Sequence, residues 1–211
     1  MCSSDLEVAA VSHALARHRA GLNPDEAMMA GLLHDIGVLP VVMHAAKRPE
    51  LQARKALEPV IARLHGRIGR RILESWNFAP ALVEVADGHE ELSRAGADRP
   101  DYTDIVLVAN LYCHRADGHP LGEVDWTQVP AAARLGLASA EEIAESPQLA
   151  ESISDARALL GLSPGAAPPV ARSGVAPKPV PASARRDPAG VSRREGGFLR
   201  WLRRLFGFAP G

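Results

Sequence analysis

Aromatic residues are scarce in this 211-residue chain: three Trp, two Tyr and four Phe make up 4% of it. A β-sandwich core leans on aromatic and β-branched side chains. Their scarcity, beside an apolar share of 46% dominated by Ala, Leu and Val, points to packed helices. Cysteine is scarcer still. Cys2 and Cys113 lie far apart with no CxxC or Cys/His zinc spacing, which argues against a disulfide framework or a structural zinc and fits a reducing compartment. The first twenty residues lack a basic stretch followed by an apolar one, and no run is read as approaching the roughly 20 apolar residues of a spanning helix. The chain is therefore expected in the cytoplasm. A Gly-rich phosphate loop, a Gly-x-Ser-x-Gly elbow, sustained strand alternation and internal repeats are also missing.

Charge is present but unevenly placed. The net charge of −1 conceals a tail from Ala166 onward with nine basic and two acidic residues, net +7, behind a body of net −8. An acidic body is a poor nucleic-acid surface, because duplex affinity comes chiefly from neutralising phosphates. No nucleic-acid partner is expected, and only the tail should attract anions.

Apolar periodicity marks a helix from Leu6 to His18, broken by Gly21 and Asn23-Pro24. Asn23 is placed to cap the next helix, with Pro24 at its first position and Asp25 and Glu26 in its first turn, and that helix should end near Gly37. Further helices are expected at about 49–64, 65–76, 80–89, 102–115, 126–135 and 139–160, with Gly136 and Gly161 as stops. Residues 163–197 are rich in Pro, Ala, Ser, Gly and Arg and read as a flexible linker. Apolar residues return over 198–208, which reads as a short helix.

The most informative string is Ala30-Gly31-Leu32-Leu33-His34-Asp35-Ile36-Gly37. An adjacent imidazole and carboxylate suit a divalent first-row metal, although alone such a pair more often reads as a hydrogen-bonded couple near a helix end. It is followed by His65-Gly66-Arg67-Ile68-Gly69, then Trp76-Asn77-Phe78-Ala79-Pro80, then Gly88-His89-Glu90. Gly66 and Gly69 would let a neighbouring helix approach closely, and Trp76 and Phe78 read as core anchors.

This ordered series resembles the HDOD domain, a branch of the HD phosphohydrolase superfamily, over about Leu6 to Leu160. The resemblance implies an all-α bundle of HD-domain type over residues 1–162 and nominates His34, Asp35, His65 and His89 as vestigial metal ligands. Three positions depart from the pattern of active relatives: Gly88 replaces one His, Asn110 replaces a later Asp, and the first His falls near Ser3 or Ser4 rather than at His13. Val38 stands where cyclic-dinucleotide hydrolases carry Lys, and no Gly-Tyr-Pro signature follows His89. The His-Asp helix also arrives early, as though the domain lacked its N-terminal part.

These readings lead to a non-catalytic signalling or regulatory module that works through protein contacts, with no catalytic residue and no required cofactor. Weak divalent metal binding is compatible with the remaining ligands. The competing reading is a metal-dependent phosphohydrolase acting on a nucleotide or cyclic dinucleotide. In the last segment, Phe198, Leu199, Trp201, Leu202, Leu205 and Phe206 would share one helical face, opposite Arg200, Arg203 and Arg204. That pattern suits peripheral contact with an anionic membrane, placing the protein at the inner membrane surface, or contact with a partner; docking on its own domain is the alternative.

Overall fold

The computed structural model describes residues 3–18, 22–48, 54–115 and 119–162, all within one unit spanning Met1–Ala171. The expected linker at 163–197 and helix at 198–208 lie outside the described residues. Every regular element described is helical, in accord with the all-α expectation.

The order is α1 (Ser3–Arg17), α2 (Pro24–Leu33), α3 (Val38–Ala45), α4 (Arg54–Ser75), α5 (Pro80–Gly88), α6 (Tyr102–His114), α7 (Pro130–Arg134), α8 (Glu141–Ala144) and α9 (Pro147–Leu159). Short 3₁₀ turns at Pro120–Glu123 and Trp126–Gln128 join α6 to α7. Four helices begin on proline, whose missing N–H would have had no helical acceptor anyway. Asn23 caps α2 by accepting from the Asp25 amide, as its sequence position predicts. Asp101 and Asp104 form a reciprocal capping box on α6. Three helix ends close with a residue in the left-handed region. Asn77 (φ 57°), Gly136 (φ 65°) and Gly161 (φ 72°) let the next amide reach back five residues to Leu73, Ala132 and Arg157.

Helices α1 and α6 form the centre. Val8, Ala9, Ala10, Val11, Ala14, Leu15 and Ala16 are buried on α1, and every residue from Thr103 to Leu111 is buried on α6. Small residues set the spacing. A Cβ on Gly31 of α2 would stand 2.7 Å from the Ala9 Cα, so the two helices cross almost backbone to backbone.

Several boundaries differ from the sequence reading. Instead of stopping near Gly37, the chain makes a tight turn over His34–Gly37 and re-enters helix as α3. The two helices expected at 49–64 and 65–76 are one 22-residue helix, α4, which runs through Pro59. The helix expected at 139–160 is two, because Ser146 caps a fresh start at Pro147. Trp76, expected in the core, is 53% exposed, whereas Phe78 packs on the core as expected. The Asn77 reversal carries the chain past Trp76 and turns only Phe78 inward. Residues Pro24–Ala45 also form a segment long and apolar enough to cross a membrane by length and composition, contrary to the sequence expectation. In the bundle it is interrupted by the His34–Gly37 turn, and Ala27, Ala30, Pro40 and Val41 pack inward.

Candidate metal centre

Glycine packing brings the His-Asp turn, α4 and α5 together. A Cβ on Gly37 would fall 1.9 Å from the His65 carbonyl oxygen and 2.6 Å from the Gly69 amide nitrogen, so the turn lies directly on the α4 backbone. On α4, a Gly66 Cβ would lie 2.9 Å from the Ala86 carbonyl oxygen and a Gly69 Cβ 3.1 Å from the Ala86 Cβ. Each of these contacts sits beside a nominated side chain. The close crossings thereby converge His34, Asp35, His65 and His89.

The three histidines are buried, at 3%, 6% and 3% exposure for His34, His65 and His89, and the Asp35 side chain is 36% exposed. Each imidazole is oriented by its own helix: Nδ1–H donates to Gly31 O at 2.7 Å from His34, to Ile61 O at 2.9 Å from His65 and to Val85 O at 3.2 Å from His89. A carbonyl can only accept, so these bonds place a proton on each Nδ1 and leave the Nε2 atoms facing elsewhere. They are directed at Asp35. Its Oδ1 lies 3.4 Å from His89 Nε2 and 3.6 Å from His65 Nε2, and its Oδ2 lies 3.7 Å from His34 Nε2. His65 Nε2 and His89 Nε2 are 3.4 Å apart.

Such a centre calls for a cation, either a proton or a metal. Burial disfavours the His89 imidazolium, but the bond to Asp35 and the charges of Asp35 and Glu90 outweigh it, and its pKa rises above the ordinary value. His34 shifts the other way: burial, and then repulsion from His89, lower its pKa. Burial would raise the Asp35 pKa, yet the His89 bond and the surrounding imidazoles hold it well below the usual carboxylate range. One carboxylate and three Nε2 atoms with fixed tautomers are a donor set that fits a divalent first-row ion.

Among the described residues, two groups contain ligand atoms lying within 4.8 Å of one another: His34, Asp35 and His89, and His65, His89 and Glu90. Glu90 was not nominated from sequence. Its carboxylate is 3.7 Å from His65 Nε2, and its place directly after His89 was the available signal. Asp5 on α1 was also missed, and its negative charge acts to raise the His34 pKa. Asn110 is buried on α6 and brings no charge. A Cβ on Gly88 would lie 2.9 Å from the Thr103 methyl, so a larger residue there would press on α6. His13 lies outside the cluster, with Nε2 3.8 Å from Asp25. Phe198, Arg200, Trp201, Leu202, Arg203, Arg204 and Leu205 lie outside the described residues.

Residues 1–92 match the HDOD domain family. This span holds all four nominated residues and supports the resemblance read from the motifs. No curated protein matches the chain. A crystal structure from Shewanella amazonensis SB2B, described as a "Putative metal-dependent phosphohydrolase", is similar with a TM-score of 0.62 and 29% identity, covering 74% of this chain and 56% of that one. The chain thus spans little more than half the length of that relative. Both findings agree with the resemblance to the HD superfamily carried by the motifs.

Proposed function

We propose that the chain is an HDOD-type regulatory module that acts through protein contacts and does not hydrolyse phosphoesters. The observation that carries this reading is Asn110, a buried neutral side chain where the family resemblance puts a metal-binding carboxylate. Replacing Asp by Asn removes an anionic ligand from the set that would hold and charge-balance a catalytic ion. The cluster then serves mainly as a polar keystone joining the His-Asp turn, α4 and α5, with His34, Asp35, His65 and His89 able to hold a divalent ion weakly. A bound ion would supply Lewis acidity there.

A metal-dependent phosphohydrolase is the second reading. It is favoured by the three oriented Nε2 atoms and by the description of the Shewanella relative. Two measurements separate the readings: metal content of the purified protein, and turnover of bis(p-nitrophenyl) phosphate with added Mn²⁺. The expected result is substoichiometric metal and background turnover, with His34→Ala lowering the melting temperature. Robust hydrolysis abolished by His34→Ala would establish the second reading and remove the first.

The protein partner is expected to be a signalling component, and the tail is proposed as a peripheral contact with anionic membrane.

A further inference from the structure

We propose that the side of the bundle formed by α3 and α4 is a docking surface for anionic lipid. The first observation is charge segregation within the body. Residues 38–76 carry eight basic and three acidic side chains, net +5, while the other residues of the first 165 carry seven basic and twenty acidic, net −13. By sequence, this segment is the positive part of an otherwise negative body, and an anionic surface attracts such a part.

The second observation is where the apolar exposure falls. Leu39, Val42 and Met43 are exposed on α3 and, spaced i, i+3 and i+4, they share one face. Val60 on α4, Trp76 just beyond its end and Met29 on α2 are exposed as well, and among the described residues only Leu159 joins them as an exposed large apolar side chain. Helices α3 and α4 pack against each other. Trp suits a membrane–water interface, where its ring is buried and its N–H remains wet.

The third observation is the arrangement of the cations. Val60, Arg63, Arg67 and Arg71 follow one another at i, i+3, i+7 and i+11 along the outer side of α4, all exposed. Arg71 pairs with Glu74 at 3.1 Å, but neither Arg63 nor Arg67 forms an ion pair with another described residue. His65 and Gly69 point the other way, into the bundle. The stripe is therefore separate from the metal centre and can be altered without touching it. Exposed apolar side chains on α3 and exposed guanidinium groups on the helix packed against it match a lipid surface, which offers hydrocarbon beneath a layer of phosphates. A nucleic acid would leave Leu39, Val42 and Met43 without an apolar partner.

The test uses the full chain and vesicles of phosphatidylcholine, alone or with an equal part of phosphatidylglycerol, read by co-sedimentation. Binding is expected only to the mixed vesicles. Since each basic residue near an anionic surface contributes about fivefold, Arg63→Glu combined with Arg67→Glu should weaken binding at least about tenfold while leaving the circular dichroism spectrum unchanged. A second measurement follows Trp76 directly. In a Trp201→Phe chain, brominated lipid in the mixed vesicles should quench Trp76, because Trp126 is buried, and the quenching should vanish in the Trp76→Phe, Trp201→Phe chain. Equal binding by the charge-reversed and natural chains, or no quenching of Trp76, would overturn the proposal. Binding of heparin or self-association through this stripe, with no vesicle binding, would overturn it equally.

Discussion

Asp104 is the most fully enclosed charge described. Its side chain has no exposed surface, and it accepts from Arg94 Nη1 at 2.5 Å and from Arg134 Nε and Nη2 at 2.8 and 2.6 Å. Burial would raise its pKa, but the bonds from Arg134 and Arg94 and their charges lower it. Asp104→Asn should therefore cost about 3 kcal/mol of stability at neutral pH, because two guanidinium groups lose their central anion. Because the folded pKa lies below the unfolded value of about 3.9, this stability is complete above that pH and disappears as the pH falls through the folded pKa. Denaturant titrations should show the natural chain weakening below about pH 4 and the Asn variant lacking this part of the slope. Parity of the two proteins at pH 7 would refute the assignment. The residue was not legible as a buried charge: the sequence shows an acidic residue in the first turn of a helix, and both arginine partners come from other segments. Glu90 and Trp76 were obscured for the same reason, since side-chain direction at a helix end depends on the packing around it.

At the scale of elements, the metal-centre geometry depends on backbone approach. Gly37→Ala would drive a Cβ into the α4 backbone near His65 and Gly69, where no flexible side chain can yield. The expected cost is at least about 3 kcal/mol, at the upper end of overpacking effects, together with a disturbed His cluster seen as shifted imidazole NMR resonances. Gly161→Ala provides the contrast. Nothing lies within 4 Å of its added Cβ, so only the φ of 72° opposes it, at about 1 kcal/mol. Equal melting shifts for the two variants would show that close approach does not govern this packing. Much of this was legible, because Gly66 and Gly69 announced a close crossing and Asn23-Pro24, Gly136 and Gly161 announced helix ends. Helix α3 was not, because Gly37 reads as a stop while its actual role is to let a turn lie on α4. The continuity of α4 was also hidden, since Pro59 and the His65-Gly66 pair look like breaks when longer-range packing is unknown.

For the whole molecule the decisive quantity is the distribution of charge. A body of net −8 should be repelled by an anionic bilayer, so attraction must come from residues 38–76 and from the basic tail. The tail prediction rests on sequence pattern: at 100° per residue, Phe198, Leu199, Trp201, Leu202, Leu205 and Phe206 fall on one side and Arg200, Arg203 and Arg204 on the other. A helix of that length is unstable alone and should form only where its apolar side is buried. Arg185, Arg186, Arg193 and Arg194 would add attraction of about 1 kcal/mol each near the surface. Binding of the full chain to phosphatidylglycerol-containing vesicles should therefore be accompanied by a gain of helicity. It should be weakened by Trp201→Ala through lost burial and by Arg203→Glu through lost attraction. Salt separates these contributions, because screening shortens from about 10 Å at 0.1 M to about 3 Å at 1 M. High salt should erase the difference between the natural chain and Arg203→Glu but preserve the deficit of Trp201→Ala. Equal helicity with and without vesicles, together with no co-sedimentation at low salt, would exclude lipid and leave a protein groove as the surface that folds the tail.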